Sequence, residues 1–209
     1  MPRASLLAIA LMTLTVLASP GDTAPARTPA PTVVTLDTAQ GRIVIQLAAS
    51  DAPRTCANFV KLARSGFYDG TTFHRVVEGF MIQGGDPGSK DGDPFNDGDG
   101  GPGYTVPAEI RLPHRRGSVA MARLPDSVNP RRDSNGSQFF ICVADREDLD
   151  RGGYTVFGKV VSGMEVVDAI VALGRGKDVI RSSMGANPAA LALIRKVTVE
   201  TRPARAPAR

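Results

Sequence analysis

Tryptophan is absent from this chain of 209 residues, and aromatic residues make up only 5% of it. Histidine and cysteine occur twice each, as His74, His114, Cys56 and Cys142, at no metal-ligand spacing. That argues against a zinc centre. Cys56 falls on the apolar face of a helical pattern and Cys142 inside an apolar strand, positions that suit small buried thiols. A disulfide between them stays open as an alternative in an oxidising compartment, because proximity is not written in the sequence. No G-x-S-x-G elbow occurs, and no histidine is placed by a motif near a serine or cysteine nucleophile. Paired carboxylates with a recognisable acid–base arrangement are also missing. Hydrolysis therefore has no visible basis in the sequence.

Excess charge is missing from the body of the chain as well. The formal net charge is +4, but residues 33–200 hold twenty basic and twenty acidic side chains. The surplus lies in Arg3, Arg27, Arg202, Arg205 and Arg209, offset by Asp22. A basic face for nucleic acid is thus not expected. Long apolar runs are confined to the start. Arg3 and the stretch from Leu6 to Leu17 read as the n- and h-regions of an export signal, with a cut after Ala18. The stretch is short of the roughly 20 residues that span a bilayer, although an uncleaved anchor is the alternative reading. The expected organisation is a signal at 1–18, a Pro/Ala/Thr-rich linker at 19–32, a folded domain at 33–200 and a flexible basic tail at 201–209. Cleavage would give an exported, periplasmic product with no stable membrane association.

What is present is mostly short strands. Two β-branched runs flank Ala39-Gln40-Gly41-Arg42 as a hairpin. Phe73–Val77, Phe80–Gly84, Ser118–Ala122, Phe139–Val143, Thr155–Val161 and Leu193–Glu200 bring the count to eight. One helix is expected after a cap at Ser50 or Asp51, with Pro53 in its first turn and Gly66 at its end. Cys56, Phe59, Val60 and Ala63 form its apolar face. A second lies near residues 163–173, with Val167, Ile170 and Val171 inward and Gly174 as terminator. Eight strands suit a closed antiparallel barrel, with the two helices over its ends. Residues 87–103 read as a polar, turn-rich loop. Its Gly98, Gly100 and Gly103 match G-x-G-x-x-G only formally, since no strand leads in. Its aspartates fail as a calcium loop because Phe95 stands at the fifth position and no closing Glu follows.

One stretch resists a purely structural account. "FHRVVEGFMIQGGD", residues 73–86, places Arg75 and Gln83 inside apolar runs. A pairing of Arg75 with Glu78 at a strand end is one explanation, although such exposed pairs contribute little. Amides, apolar groups and one guanidinium, with no nucleophile, suit a reaction in which no bond is broken.

The blocks "FHRVVEGFMIQGGDP", "GSVAMAR", "NGSQFFICVA" and "VFGKVVSGMEVVDAI", in this order and at these separations, resemble the signature blocks of the cyclophilins, which are peptidyl-prolyl cis–trans isomerases. The resemblance covers about residues 33–200. It implies the same capped eight-stranded barrel. It also implies that Arg75 faces the proline amide, that Gln83 orients it, and that Phe80, Met81, Phe140 and Leu149 form the proline pocket. Gln138, Ala122 and Arg123 match groove positions, the last two through main-chain contacts, and Tyr154 stands where the family commonly has His. No cofactor, metal or covalent intermediate is implied. The implied partners are unfolded or partly folded proline-containing polypeptides met by a monomer. A scaffold that holds such segments without turning them over is the alternative.

Three departures stand out. Asp148 occupies a position where many cyclophilins carry Trp, a main contact for cyclosporin, so weak cyclosporin binding is expected. One residue is inserted around Arg151-Gly152. The segment Leu124–Ser134 is expanded, at what would be the groove rim.

Overall fold

The first hairpin follows from its residues. The computed structural model, which describes residues 31–91, 93, 95–174 and 192–201, pairs β1 (Thr32–Thr38) with β2 (Gly41–Leu47) from Val33–Gln46 to Thr38–Gly41. The Thr38 hydroxyl donates to the Gly41 carbonyl at 2.7 Å and accepts from the Gln40 N–H at 3.1 Å, which closes the turn. The expected export signal, nearly all of the expected linker and the tail beyond Thr201 lie outside the described residues.

α1 (Pro53–Arg64) begins with the proline in its first turn, but Ser50 and Asp51 do not cap it. Its N-cap is Ala52, and the Glu109 carboxylate accepts from the Arg54 and Thr55 N–H groups at 3.1 and 2.9 Å. A remote carboxylate thus satisfies donors that a local side chain was expected to satisfy, and it also complements the positive end of the helix. The C-terminus is a Schellman motif. Gly66, at φ +73°, donates to Ala63, and Phe67 donates to Leu62. Thr55, Cys56, Phe59, Leu62 and Ala63 are buried, while the expected Val60 is only partly so.

Six further strands follow: β3 (Arg75–Val77), β4 (Met81–Gly84), β5 (Ser118–Met121), β6 (Phe139–Cys142), β7 (Val156–Ser162) and β8 (Ile194–Thr201). A 3-10 turn occupies Pro87–Lys90. α2 (Glu147–Gly152), a helix not expected from the sequence, precedes β7, and α3 (Met164–Leu173) follows it. α3 buries Val166, Val167 and Ile170, with Val171 at the margin. Gly174 ends it at φ −91°, so backbone freedom does not explain the glycine. A Cβ there would come within 2.9 Å of Val76 Cγ1, and close packing does explain it.

All eight strands form one antiparallel sheet in the order β3-β4-β6-β5-β7-β2-β1-β8. The closed barrel expected from the strand count is instead an open, curled half-barrel, because no ladder joins the edge strands β3 and β8. Among the described residues, the segments preceding those two edges meet in an isolated bridge between Thr72 and Leu193. β3, three residues long, pairs along its whole length with β4, and its other edge carries no ladder.

Alternation along the strands creates two apolar layers. Val119, Met121, Phe139 and Ile141 join Phe59, Tyr68, Phe73 and Phe157 in the main core under α1 and α3. Met81, Ala120, Phe140, Cys142 and Val156 face the other way and form a second cluster with Leu149 of α2. Phe139 and Phe140, adjacent in sequence, are therefore divided between the two layers. Both cysteines are free and buried.

Candidate active site

The site is a row across the sheet. In the strand register Arg75 lies opposite Gln83, Gln83 opposite Phe140, Phe140 opposite Ala120 and Ala120 opposite Val156. Cross-strand neighbours share one face, so backbone pairing brings the guanidinium, the amide and the Phe140 ring side by side, and α2 adds Leu149 to the pocket. Arg75 is exposed, and its Nη1 donates to Gln83 Oε1 at 3.3 Å. Gln83 Nε2 donates to Gln138 Oε1 at 2.9 Å. Gln138, almost fully buried, donates through Nε2 to the carbonyls of Gly98 and Gly100, each at 2.8 Å.

Met81, Phe140 and Leu149 lie together in the second apolar cluster, and Phe80 and Tyr154 pack against it partly exposed. The four pocket residues named from the sequence thus converge, with Tyr154 beside them. Ala122 runs alongside: its N–H donates to the Gln138 carbonyl at 2.9 Å and its carbonyl accepts from Asn135 at 3.1 Å. Both main-chain groups are engaged inside the fold, which leaves the second lone pair of the carbonyl for a peptide. The Arg123 side chain turns inward. It pairs with Asp126 at 2.6 Å, donates to the Leu124 and Gly152 carbonyls, and places Cζ 4.8 Å from the centre of the Tyr154 ring. Past Gln138 opens a cavity of about 590 Å³, whose walls include Gly101, Leu124, Val128 and Asn135. The expanded Leu124–Ser134 segment therefore does form the rim of a groove.

Four residues around the pocket were not singled out from the sequence. Ala120 and Val156 carry no signal of their own, since a small or β-branched residue in a strand is ordinary. Arg146 and His114 became visible only through α2. Arg146 sits with Cζ 3.9 Å from the Phe80 ring centre and donates to both oxygens of Asp148, at 2.8 and 2.7 Å. These hydrogen bonds hold the Asp148 carboxyl down at about 2. The His114 ring stacks on Phe140 at 6.0 Å and 11°, and its Nδ1 lies 2.7 Å from Asp150 Oδ1. Burial pushes the imidazole below its ordinary value, against the pull of Asp150. Burial would raise Asp150 too, but the side-chain and backbone hydrogen bonds from His114 outweigh it and hold that carboxyl low. No cluster of three or more metal-ligating side chains occurs among the described residues.

Known proteins resemble this chain in sequence and in fold. The model of the family described as "Cyclophilin type peptidyl-prolyl cis-trans isomerase/CLD" matches residues 33–199. A peptidyl-prolyl cis-trans isomerase of Helicobacter pylori is 43% identical over 141 residues, which are 65% of this chain and 78% of that protein. One from Synechococcus elongatus is 48% identical over 125 residues, 59% of this chain and 77% of its own length. The crystal structure of a cyclophilin-type isomerase from Cryptosporidium parvum, 30% identical, superposes with a TM-score of 0.66 over 83% of this chain and 99% of that one. The same protein in the presence of the dipeptide Ala-Pro gives 0.65 over 81% and 99%.

Proposed function

The chain belongs to the cyclophilin-type peptidyl-prolyl cis–trans isomerases, and from that premise we infer that Arg75 performs the isomerisation by stabilising the twisted amide over the Phe80–Met81–Phe140–Leu149 pocket. An Xaa-Pro bond interconverts unaided over tens to hundreds of seconds. The barrier is the loss of amide resonance on twisting. At the twisted state the proline nitrogen turns pyramidal and its lone pair becomes available. A donor aimed at that nitrogen binds the twisted state better than either planar one, which is the condition for catalysis. Arg75 suits this role because a guanidinium is a planar cationic fork with several N–H groups. The apolar pocket holds the ring and keeps water from the amide, whose polarity falls on twisting. No bond forms or breaks.

The observation that carries this reading is the row itself: a guanidinium fixed by Gln83 beside an apolar pocket on the same sheet face. Exchange-rate NMR on an Ala-Pro peptide tests it. Arg75→Ala is expected to lower kcat/KM by about 10²–10³, as for removal of one preorganised donor, with the fold intact. Equal exchange by the variant and the natural chain would overturn it.

The setting proposed for this activity is the folding of exported proteins. Its support is the Arg3 and Leu6–Leu17 pattern ahead of Ala18. Sequencing the N-terminus of the product secreted by a bacterial host decides the point. A start after Ala18 is expected, and a retained Met1 would refute cleavage.

A further inference from the structure

Asp86 stands outside the pocket and is fully buried. Its Oδ1 accepts from the Gly88 N–H at 2.8 Å, and its Oδ2 accepts from the N–H groups of Gly98 and, at 3.3 Å, Gly100. One carboxylate therefore gathers both ends of the turn-rich loop that follows β4. The carbonyls of Gly98 and Gly100, the same two residues, receive the Gln138 amide. Gln138 in turn fixes Gln83, and Gln83 presents its oxygen to Arg75.

Each link has a defined polarity. Gln138 spends its Nε2 on the loop carbonyls, so its Oε1 must face Gln83. Gln83 spends its Nε2 there, so its Oε1 must face the guanidinium. If the loop carbonyls moved away, Gln138 could rotate by half a turn and present N–H to Gln83, which would then turn its own N–H toward Arg75, a donor facing a donor. Gly100 sits at the joint for a steric reason: a Cβ on it would overlap Asp86 Oδ1.

We propose that Asp86 is a positioning residue for the isomerisation: by pinning Gly98 and Gly100 it sets the orientation of the Gln138 and Gln83 amides and so the aim of the Arg75 guanidinium. This rests on the arginine reading above. Asp86 touches neither substrate nor Arg75, and its effect travels through four hydrogen-bonded groups. It also gives the polar loop a place in the chemistry, as the support on which the active-site amides are anchored.

A double-mutant cycle tests the proposal. Asp86→Asn replaces one acceptor oxygen by NH₂, so the side chain can no longer accept from Gly88 and from the Gly98–Gly100 pair at once. In the natural background it is expected to lower kcat/KM on an Ala-Pro peptide by about 3–10-fold, mainly through kcat, a factor in the range seen for coupled neighbours. In the Arg75→Ala background it is expected to cost nothing further, because the aim of an absent group cannot be lost. Gly100→Ala, which leaves the carboxylate in place and disturbs the same joint, should follow the same pattern and serves if Asp86→Asn does not fold. An equal loss in both backgrounds, or none in either, overturns the proposal while leaving the arginine reading intact. Full activity of Arg75→Ala alone overturns that reading, and this one with it.

Discussion

The Arg146 guanidinium lies 3.9 Å from the centre of the Phe80 ring, with its fork occupied by Asp148. An ion pair thus stands beside the pocket at the position where many cyclophilins, by the resemblance described above, carry a tryptophan. Arg146 stacking on the ring is a cation–π contact, and Asp148 keeps the cation in place.

Cyclosporin, an apolar cyclic peptide, would have to desolvate this pair to settle on the pocket. Titration followed by calorimetry is expected to give binding at least about tenfold weaker than for Asp148→Trp, since one buried aromatic contact is worth more than about 1.4 kcal/mol. Nanomolar binding by the natural chain would contradict this.

Phe139 and Phe140 should give opposite phenotypes. Phe139 is buried in the main core, edge-on to Phe59 at 5.4 Å and to Tyr68 at 5.8 Å. Phe139→Ala is expected to cost about 3–5 kcal/mol of stability, measured by urea unfolding. Phe140→Ala empties the pocket floor. It should lower kcat/KM by more than about tenfold, with a smaller stability loss, because Phe140 packs in the smaller of the two apolar clusters. A swap of the two outcomes would mean that the layers are assigned wrongly.

Acid should weaken the fold through the His114–Asp150 pair. His114 is depressed in the folded state, so the unfolded chain binds more protons as pH falls below about 6.5. Asp150 is depressed too, and its contribution is lost at still lower pH as it protonates. Both signs point the same way. Arg115, at 3.6 Å from Asp150, and Asp148 are the other charges felt at this pair. Tm is expected to fall as pH drops from about 7 to about 5, and to fall less steeply in His114→Phe. Parallel slopes would remove the histidine from the account.

Neither thiol should react in the native state. Burial pushes Cys56 and Cys142 up to about 12, so at about pH 8 only about one in 10⁴ is thiolate. A disulfide-exchange reagent should titrate no thiol in the folded chain and both in denaturant. Rapid native labelling would show that Cys142 is reached from the pocket.

The features that lie in short local patterns are legible in the amino-acid sequence. Short apolar and β-branched runs mark the cores of all eight strands, and the Arg75–Gln83 anomaly marks the centre of the candidate site. What escapes depends on contacts far apart in the chain. Glu109 caps a helix that starts more than fifty residues before it, and nothing near Pro53 announces that. α2 has six residues, too few for a periodic signal. Eight strands point to a closed sheet only if the first and last in the sheet order pair with each other, and among the described residues only the bridge between Thr72 and Leu193 joins the segments ahead of β3 and β8. The Asp86 chain escapes because its meaning lies in hydrogen-bond polarity, which composition does not encode.

Thr32 opens β1 and Thr201 closes β8, and the two are paired across the same ladder. The described fold therefore begins and ends at one spot, like a necklace at its clasp. A short bridge of a few glycines should join the two points without strain, and the chain could then be cut at an exposed bend such as Leu124–Val128 to give a circularly permuted protein. Whatever is carried at either terminus, a passenger domain or a surface tether, would emerge from that single place.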